Sequence, residues 1–256
     1  KMIVDTFMKQ INGQSAAGDT YLVEFTFSFL WVMKNDLPSL VEFIQLLVSM
    51  IANAFRAYNG NPADQLKIAT TASEHLFRVC KLLGKSLLMQ LTQILAAIFE
   101  QILAARDATV SNNLCSAFLN LASNLTSPQE RTEQFTHVFL PIINYLISDD
   151  VKKYYSDPSL FHEYFNGNLD ALQELSAHLS CLSAMFDAIF TTSEYLVISD
   201  SAFQVLGEPL ALLFNTVCFL LVGDGSPSPA LACWRSVTLK EASSVTCTGQ
   251  VPLQST

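Results

Sequence analysis

Apolar residues recur along this chain at steps of three and four, and this pattern constrains the fold more than any other feature. Such steps bring side chains to one face of an α-helix, which has about 3.6 residues per turn. The clearest runs lie at 40–58, 87–102, 135–146 and 169–189. No stretch combines the alternation of a half-buried strand with the turn residues of a hairpin. The sequence therefore predicts an all-α fold.

Turn-forming residues divide these runs into separate helices. Asn59-Gly60-Asn61-Pro62 ends one helix and starts another, and Ser127-Pro128 opens a helix because proline suits the first helical position. Asn166-Gly167-Asn168 is a loop whose last residue is a candidate N-cap. The predicted helices cover 20–33, 37–58, 63–83, 86–106, 109–124, 128–148, 168–190 and 201–222, with a further short helix at 158–165.

Long helices with short connections favour antiparallel neighbours. Alternate predicted helices begin at intervals close to the length of a HEAT or armadillo repeat, about 40–47 residues. We therefore predict an α-solenoid of HEAT/armadillo-like antiparallel helix pairs over 20–222. Stacking of the pairs would bury the apolar side chains, which make up half of the composition. An irregular segment at 1–19, a possible fragment edge, precedes it. The Ser- and Thr-rich stretch 223–256 has no amphipathic face and is predicted to be a loosely ordered tail.

Cysteine usage and hydropathy indicate the compartment. The six cysteines are widely spaced, and most lie in apolar helical runs, where a free cysteine packs as a small hydrophobic residue. This pattern is typical of the reducing cytoplasm and nucleus. The start Lys1-Met2-Ile3 has neither a basic leader region nor a small-residue cleavage site, so we expect no leader peptide. Its most apolar stretches, 38–55 and 201–222, contain polar residues, so we expect no membrane span.

The distribution of charge is the main functional feature. The net charge is −9, and residues 149–208 hold ten acidic residues against only Lys152 and Lys153. A general nucleic-acid binder needs a basic face, so direct nucleic-acid binding is not expected. Clustered acidic residues attract a partner of opposite charge. We predict a protein-binding acidic face for cargo with basic segments, made of Asp149, Asp150, Asp157, Glu163, Asp170, Glu174 and Asp187. The alternative interpretation is a solvated outer face that keeps an apolar protein in solution.

Motifs for catalysis or metal binding are incomplete. Gly84-Lys85-Ser86 resembles the end of a phosphate-binding loop, but Val79 stands where that motif needs glycine. His162-Glu163 starts like the helix of a zinc protease, but Asn166 replaces the second histidine. His178 and Cys181 share a helix face and are interpreted as a half-buried histidine beside a core cysteine. We therefore predict no catalytic residue, no metal site and no cofactor, and the chain is not expected to be an enzyme.

A family resemblance narrows the predicted function. The apolar helix Phe139–Leu146 with its internal Pro141, and the segment Leu82–Lys85 before a long apolar helix, resemble the karyopherin-β family of importins and exportins in repeat style over 20–222. The resemblance implies a HEAT solenoid that carries protein cargo between cytoplasm and nucleus under the control of the small GTPase Ran, although no Ran-contacting motif carries over. Three alternatives remain open: a HEAT assembly or trafficking scaffold unrelated to Ran, a helical membrane protein, and a helical enzyme whose site joins residues distant in sequence.

Overall fold

A computed structural model of the chain describes residues 28, 37–56, 62–83, 91–191 and 196–222. Within these ranges the secondary structure consists of nine α-helices and no strand, which confirms the all-α prediction. The helices are α1 (Leu37–Arg56), α2 (Pro62–Leu83), α3 (Leu91–Ala104), α4 (Ala108–Ala122), α5 (Pro128–Ile147), α6 (Asp149–Lys152), α7 (Pro158–Gly167), α8 (Leu169–Thr191) and α9 (Leu196–Val222).

The predicted helix bounds agree with the structure to within one or two residues at most of the described ends. One exception is α6, a single turn that is too short to show an apolar period. The other is α9, which begins at Leu196 and not at residue 201, because the polar residues around Asp200 continue the helix where we expected them to start it. The predicted helix 20–33, the start of 86–106, and the segments 1–19 and 223–256 lie outside the described residues.

The chain divides into two compact units. The N-terminal unit comprises 1–105 and 113–126, and the C-terminal unit comprises 106–112 and 127–256. The predicted stacking of all helices into one solenoid domain over 20–222 stays a prediction.

In the N-terminal unit, α1 packs against α2 and α3. The core holds fully buried aliphatic side chains such as Leu47, Ile51 and Leu76. A part-buried polar contact joins distant parts of this unit, since Asn113 donates from Nδ2 to the hydroxyl of Ser73 at 3.1 Å. That hydroxyl in turn donates to the carbonyl of Thr70, so both its donor and its acceptor capacity are used.

In the C-terminal unit, α8 packs against α5, α7 and α9. Its Leu175, Leu182 and Phe186 side chains are buried, and Leu179 is only 2% exposed, as the apolar period predicted. A second face of α8 consists of small residues and meets the first turns of α4. The hydroxyl of Ser180 donates to the carbonyl of Ala108 at 2.6 Å, and the thiol of Cys181 contacts the carbonyl of Ser111 at 3.6 Å.

Side-chain caps fix where the helices of the C-terminal unit begin. The Ser127 hydroxyl accepts from the amide of Glu130 at the start of α5, and Pro128 occupies the first helical position, as predicted. The Asn168 side chain accepts from the amide of Ala171 and caps α8, also as predicted. Asp157 caps α7 in the same way. These caps set the direction in which α7 and α8 leave the turns that precede them.

None of the helices in the described ranges is long and apolar enough to cross a membrane.

Candidate functional site

The predicted acidic residues all belong to the C-terminal unit, on α6, α7, α8 and the turn before α7. Five of them are exposed and two are half-buried. The exposed ones are Asp149, Asp150, Glu163, Asp170 and Asp187, and the half-buried ones are Asp157 and Glu174.

Asp149 and Asp157 have partners that explain their presence without any ligand. Asp149 pairs with Lys152 at 3.7 Å between their charged atoms, one turn along α6. The Asp157 carboxylate accepts hydrogen bonds from the amides of Ser159 and Leu160, so it is a helix cap. Asp157 therefore has a structural role that the sequence interpretation did not assign.

The remaining acidic residues are not all close together. Asp170 and Glu174 lie one turn apart on α8, as their spacing predicted. Asp187 lies thirteen residues beyond Glu174 on the same helix, which places it about 20 Å farther along the axis. We use the name acidic surface for Asp149, Asp150, Glu163, Asp170 and Glu174.

Beside Glu174 lies a group of aromatic side chains that the sequence interpretation missed. The ring of Tyr145 on α5 stacks on the ring of His178 on α8, with centroids 4.0 Å apart and 14° between planes. Tyr154 stacks on Tyr164 of α7 with the same centroid separation and an angle of 11°. We call Tyr145, Tyr154, Tyr155, Tyr164 and His178 the tyrosine–histidine cluster.

The hydrogen bonding of His178 fixes its tautomer. Its Nδ1 lies 2.7 Å from the carbonyl oxygen of Glu174, and a carbonyl can only accept, so Nδ1 carries the proton. Burial lowers the pKa of this imidazole, while the Glu174 carbonyl and carboxylate oppose the shift. The neutral ring therefore keeps a lone pair on Nε2 as a hydrogen-bond acceptor.

Tyr155 is the buried member of the cluster, with 1% of its surface exposed. Its backbone carbonyl accepts a hydrogen bond from the hydroxyl of Thr216 on α9 at 2.5 Å. Within the described part of the chain its phenol hydroxyl has no hydrogen-bond partner. Burial raises the pKa of this phenol, and Tyr145 raises it further.

Tyr145 connects the cluster to the acidic surface. Burial raises the pKa of its phenol, the negative charge of Glu174 and the nearby Tyr164 raise it further, and Arg106 opposes the shift. Helices α5 and α8 thus bring the Tyr145 phenol against the His178 imidazole, where the charge of Glu174 also acts on Tyr145. The sequence contained one sign of this, because four of its seven tyrosines fall between positions 145 and 164.

The described residues contain no group of three histidine, cysteine, aspartate or glutamate side chains that could hold a metal ion. Cys181 is buried in the core with 2% of its surface exposed, and His178 is half-buried, as predicted for that pair. His162 is half-buried on α7, and Asn166 one turn later is exposed.

Comparisons of the chain with protein-family models, with curated proteins and with solved structures return no match. The karyopherin-β resemblance therefore stays a prediction.

Proposed function

We propose that this chain is a protein-binding helical scaffold whose C-terminal unit binds a basic segment of a partner protein on the acidic surface. One observation carries the proposal: a net charge of −8 lies within residues 149–208, and most of the acidic side chains with described burial there are exposed. The rest of the chain has a net charge of −1. A general need for solubility would not require such a concentration in sixty residues.

The physical basis is long-range attraction followed by contact. Carboxylates in a cluster raise the local concentration of a cationic ligand and speed its association. Exposed charges are screened beyond about 8 Å at physiological salt, so the affinity should fall as salt is added. Lys152 offsets the charge of Asp149, and the other exposed carboxylates of the acidic surface are Asp150, Glu163 and Asp170.

Charge reversal at matched positions tests the proposal. The double variant Asp150→Lys/Glu163→Lys changes two exposed acids of the acidic surface, and the control Glu100→Lys/Glu133→Lys changes two exposed acids outside it. Both variants carry the same net charge. The probe is a fluorescent peptide of alternating arginine and glycine, and anisotropy gives its Kd at about 50 and 300 mM salt.

We expect the first variant to bind the peptide about tenfold more weakly than the control, a difference of about 1.4 kcal/mol. The control should stay within about twofold of the unmodified chain, since its two acids do not belong to the acidic surface. Equal weakening by both variants, or binding that does not change with salt, would contradict the proposal.

A more specific form of the proposal is transport of protein cargo between cytoplasm and nucleus under the control of Ran. Its support is the repeat style of the helices and the Pro141-containing apolar helix, as in the karyopherin-β family. Capture of partners from a cell extract, with and without Ran loaded with GTP, separates it from a scaffold that works without Ran. Partners released or recruited by Ran·GTP support transport, and partners indifferent to Ran favour the general scaffold.

A further inference from the structure

We propose that Asn166 is a site of spontaneous deamidation, a modification that converts its side-chain amide into a carboxylate and needs only water. Asn166 and Gly167 are the last two residues of α7, and both are exposed. The product is aspartate or isoaspartate, and either one adds a negative charge to this end of the helix. The modification goes beyond the proposed function, and only its effect on peptide binding rests on that function.

The reaction joins Asn166 to the residue that follows it. The backbone nitrogen of Gly167 attacks Cγ of Asn166, so that a new N–Cγ bond closes a five-membered imide ring while the Cγ–Nδ2 bond breaks. The amide proton of Gly167 leaves with Nδ2 as ammonia. Water then opens the ring by adding its OH to one of the two carbonyl carbons and its proton to the ring nitrogen. Opening at Cγ gives aspartate, and opening at the backbone carbonyl gives isoaspartate.

Gly167 favours this ring closure. A side chain on the residue after asparagine restricts the backbone and hinders the approach of the attacking nitrogen, whereas glycine has no Cβ and moves most freely. Among the described residues nothing else requires a glycine at this position, because a Cβ placed on Gly167 would meet no atom within 4 Å and its φ is not positive. Alanine therefore fits at position 167, which provides a test variant that keeps the fold.

The side chain of Asn166 is also less restrained than other asparagine side chains. It forms no hydrogen bond with the described residues, and it lies in the last turn of α7, where a helix opens more readily than in its interior. Five other asparagines are held by side-chain hydrogen bonds, namely Asn112, Asn113, Asn120, Asn124 and Asn168. Asn53 and Asn144 are exposed as Asn166 is, but alanine and tyrosine follow them.

The new carboxylate would lie next to the acidic surface. Residues three positions apart on a helix are neighbours on one face, so a carboxylate at position 166 lies beside the exposed Glu163. Deamidation therefore adds a sixth carboxylate to the five of the acidic surface. If that surface binds a basic segment, the modified chain attracts the segment more strongly.

Ageing of the purified full chain tests the modification site. The chain is kept in mildly alkaline buffer, digested with pepsin at low pH, and mapped for peptides that gain about 1 Da. We expect Asn166 to react about tenfold faster than Asn53 and Asn144, which corresponds to a barrier lower by about 1.4 kcal/mol. Asn59-Gly60 is a second Asn-Gly pair in the sequence, outside the described residues, and peptide mapping separates its product from that of Asn166.

Gly167→Ala is the matched variant for the chemistry, because it leaves Asn166 in place and adds one methyl group where there is space. We expect it to slow the reaction at Asn166 by about tenfold and to keep the Tm of the unmodified chain. An unchanged rate in Gly167→Ala, or a rate at Asn166 no higher than at the two exposed control asparagines, would overturn the proposal.

Asn166→Asp tests the effect of the product on binding. Its control is Asn53→Asp, which adds the same charge to an exposed position of α1 in the N-terminal unit. We expect Asn166→Asp to bind the arginine–glycine peptide about two- to fivefold more tightly at low salt, as one additional exposed ion pair would allow. The control should leave Kd unchanged.

The results separate this inference from the proposed function. If Asn166 deamidates but Asn166→Asp binds the peptide as Asn53→Asp does, the effect on the acidic surface is wrong and the modification site stands. If Asn166 reacts no faster than the control asparagines, this inference fails, whatever the result for Asp150→Lys/Glu163→Lys. If Asn166 deamidates and Asp150→Lys/Glu163→Lys leaves Kd unchanged, the proposed function fails and the modification site stands.

Discussion

The packing of α8 leads to a quantitative prediction about stability. Leu179 is 2% exposed in the centre of the C-terminal unit, and Leu169 on the same helix is 54% exposed. Leu179→Ala removes three carbon groups from the core, which costs about 2.4 kcal/mol at about 0.8 kcal/mol per buried group. The cavity that remains adds about 24 cal/mol per Å³, so we expect a total loss of about 2 to 5 kcal/mol.

Leu169→Ala is the matched control, because it makes the same chemical change at an exposed position. We expect a change within about 0.5 kcal/mol for this variant. Urea unfolding followed by circular dichroism gives both values. If the slope of the unfolding free energy against urea concentration is unchanged, only the stability has changed. If Leu179→Ala costs less than about 0.5 kcal/mol, the assignment of the buried face of α8 is wrong.

Three further predictions follow from caps and buried titratable groups. Ser127→Ala removes the cap of α5 and should lower the free energy of unfolding by about 0.5–2 kcal/mol, as measured by urea unfolding. The control Ser159→Ala should not change it, because the side chain of Ser159 is exposed. Burial lowers the pKa of His178 from its ordinary 6.5, so the unfolded chain binds more protons and stability falls as pH drops below about 6.5. His178→Gln should flatten the dependence of Tm on pH, and an unchanged slope would contradict this. Burial raises the pKa of the Cys80 thiol, so iodoacetamide at pH 8 should label the half-buried Cys218 before Cys80. Mass spectrometry of the peptides measures the order of labelling. The reverse order would contradict the burial of Cys80.

The helices could be predicted because their information is local. An apolar side chain every three or four residues marks a buried face regardless of which helix covers it, and this placed Leu179 in the core correctly. Ser127-Pro128 and Asn168 predict helix starts correctly, because a capping hydrogen bond joins residues only three positions apart. The sequence Asp157-Pro158 carries the same signature, so it also predicts the role of Asp157 as a cap.

The tyrosine–histidine cluster could not be predicted because its information is tertiary. Tyr145 and His178 are 33 positions apart, and only the packing of α5 against α8 brings their rings together. Tyr154 and Tyr155 are neighbours in a turn with no period, so no pattern indicates that Tyr155 is the buried one. The acidic residues, by contrast, could be predicted from the sequence, because a count of charges along the chain is enough to find them.

The small-residue face of α8 has a consequence for how this sequence can change over time. Ala177, Ser180, Cys181 and Ala184 follow one another at helical spacing and are all buried, and two of them touch backbone carbonyls of α4. A mutation such as Ala184→Leu would raise the hydropathy of the helix and yet add three carbons to a side chain that is only 5% exposed, which is expected to overpack the core. We therefore expect the opposite face to tolerate exchanges among leucine, isoleucine and phenylalanine, whereas this face should tolerate a change of polarity better than an increase in side-chain volume.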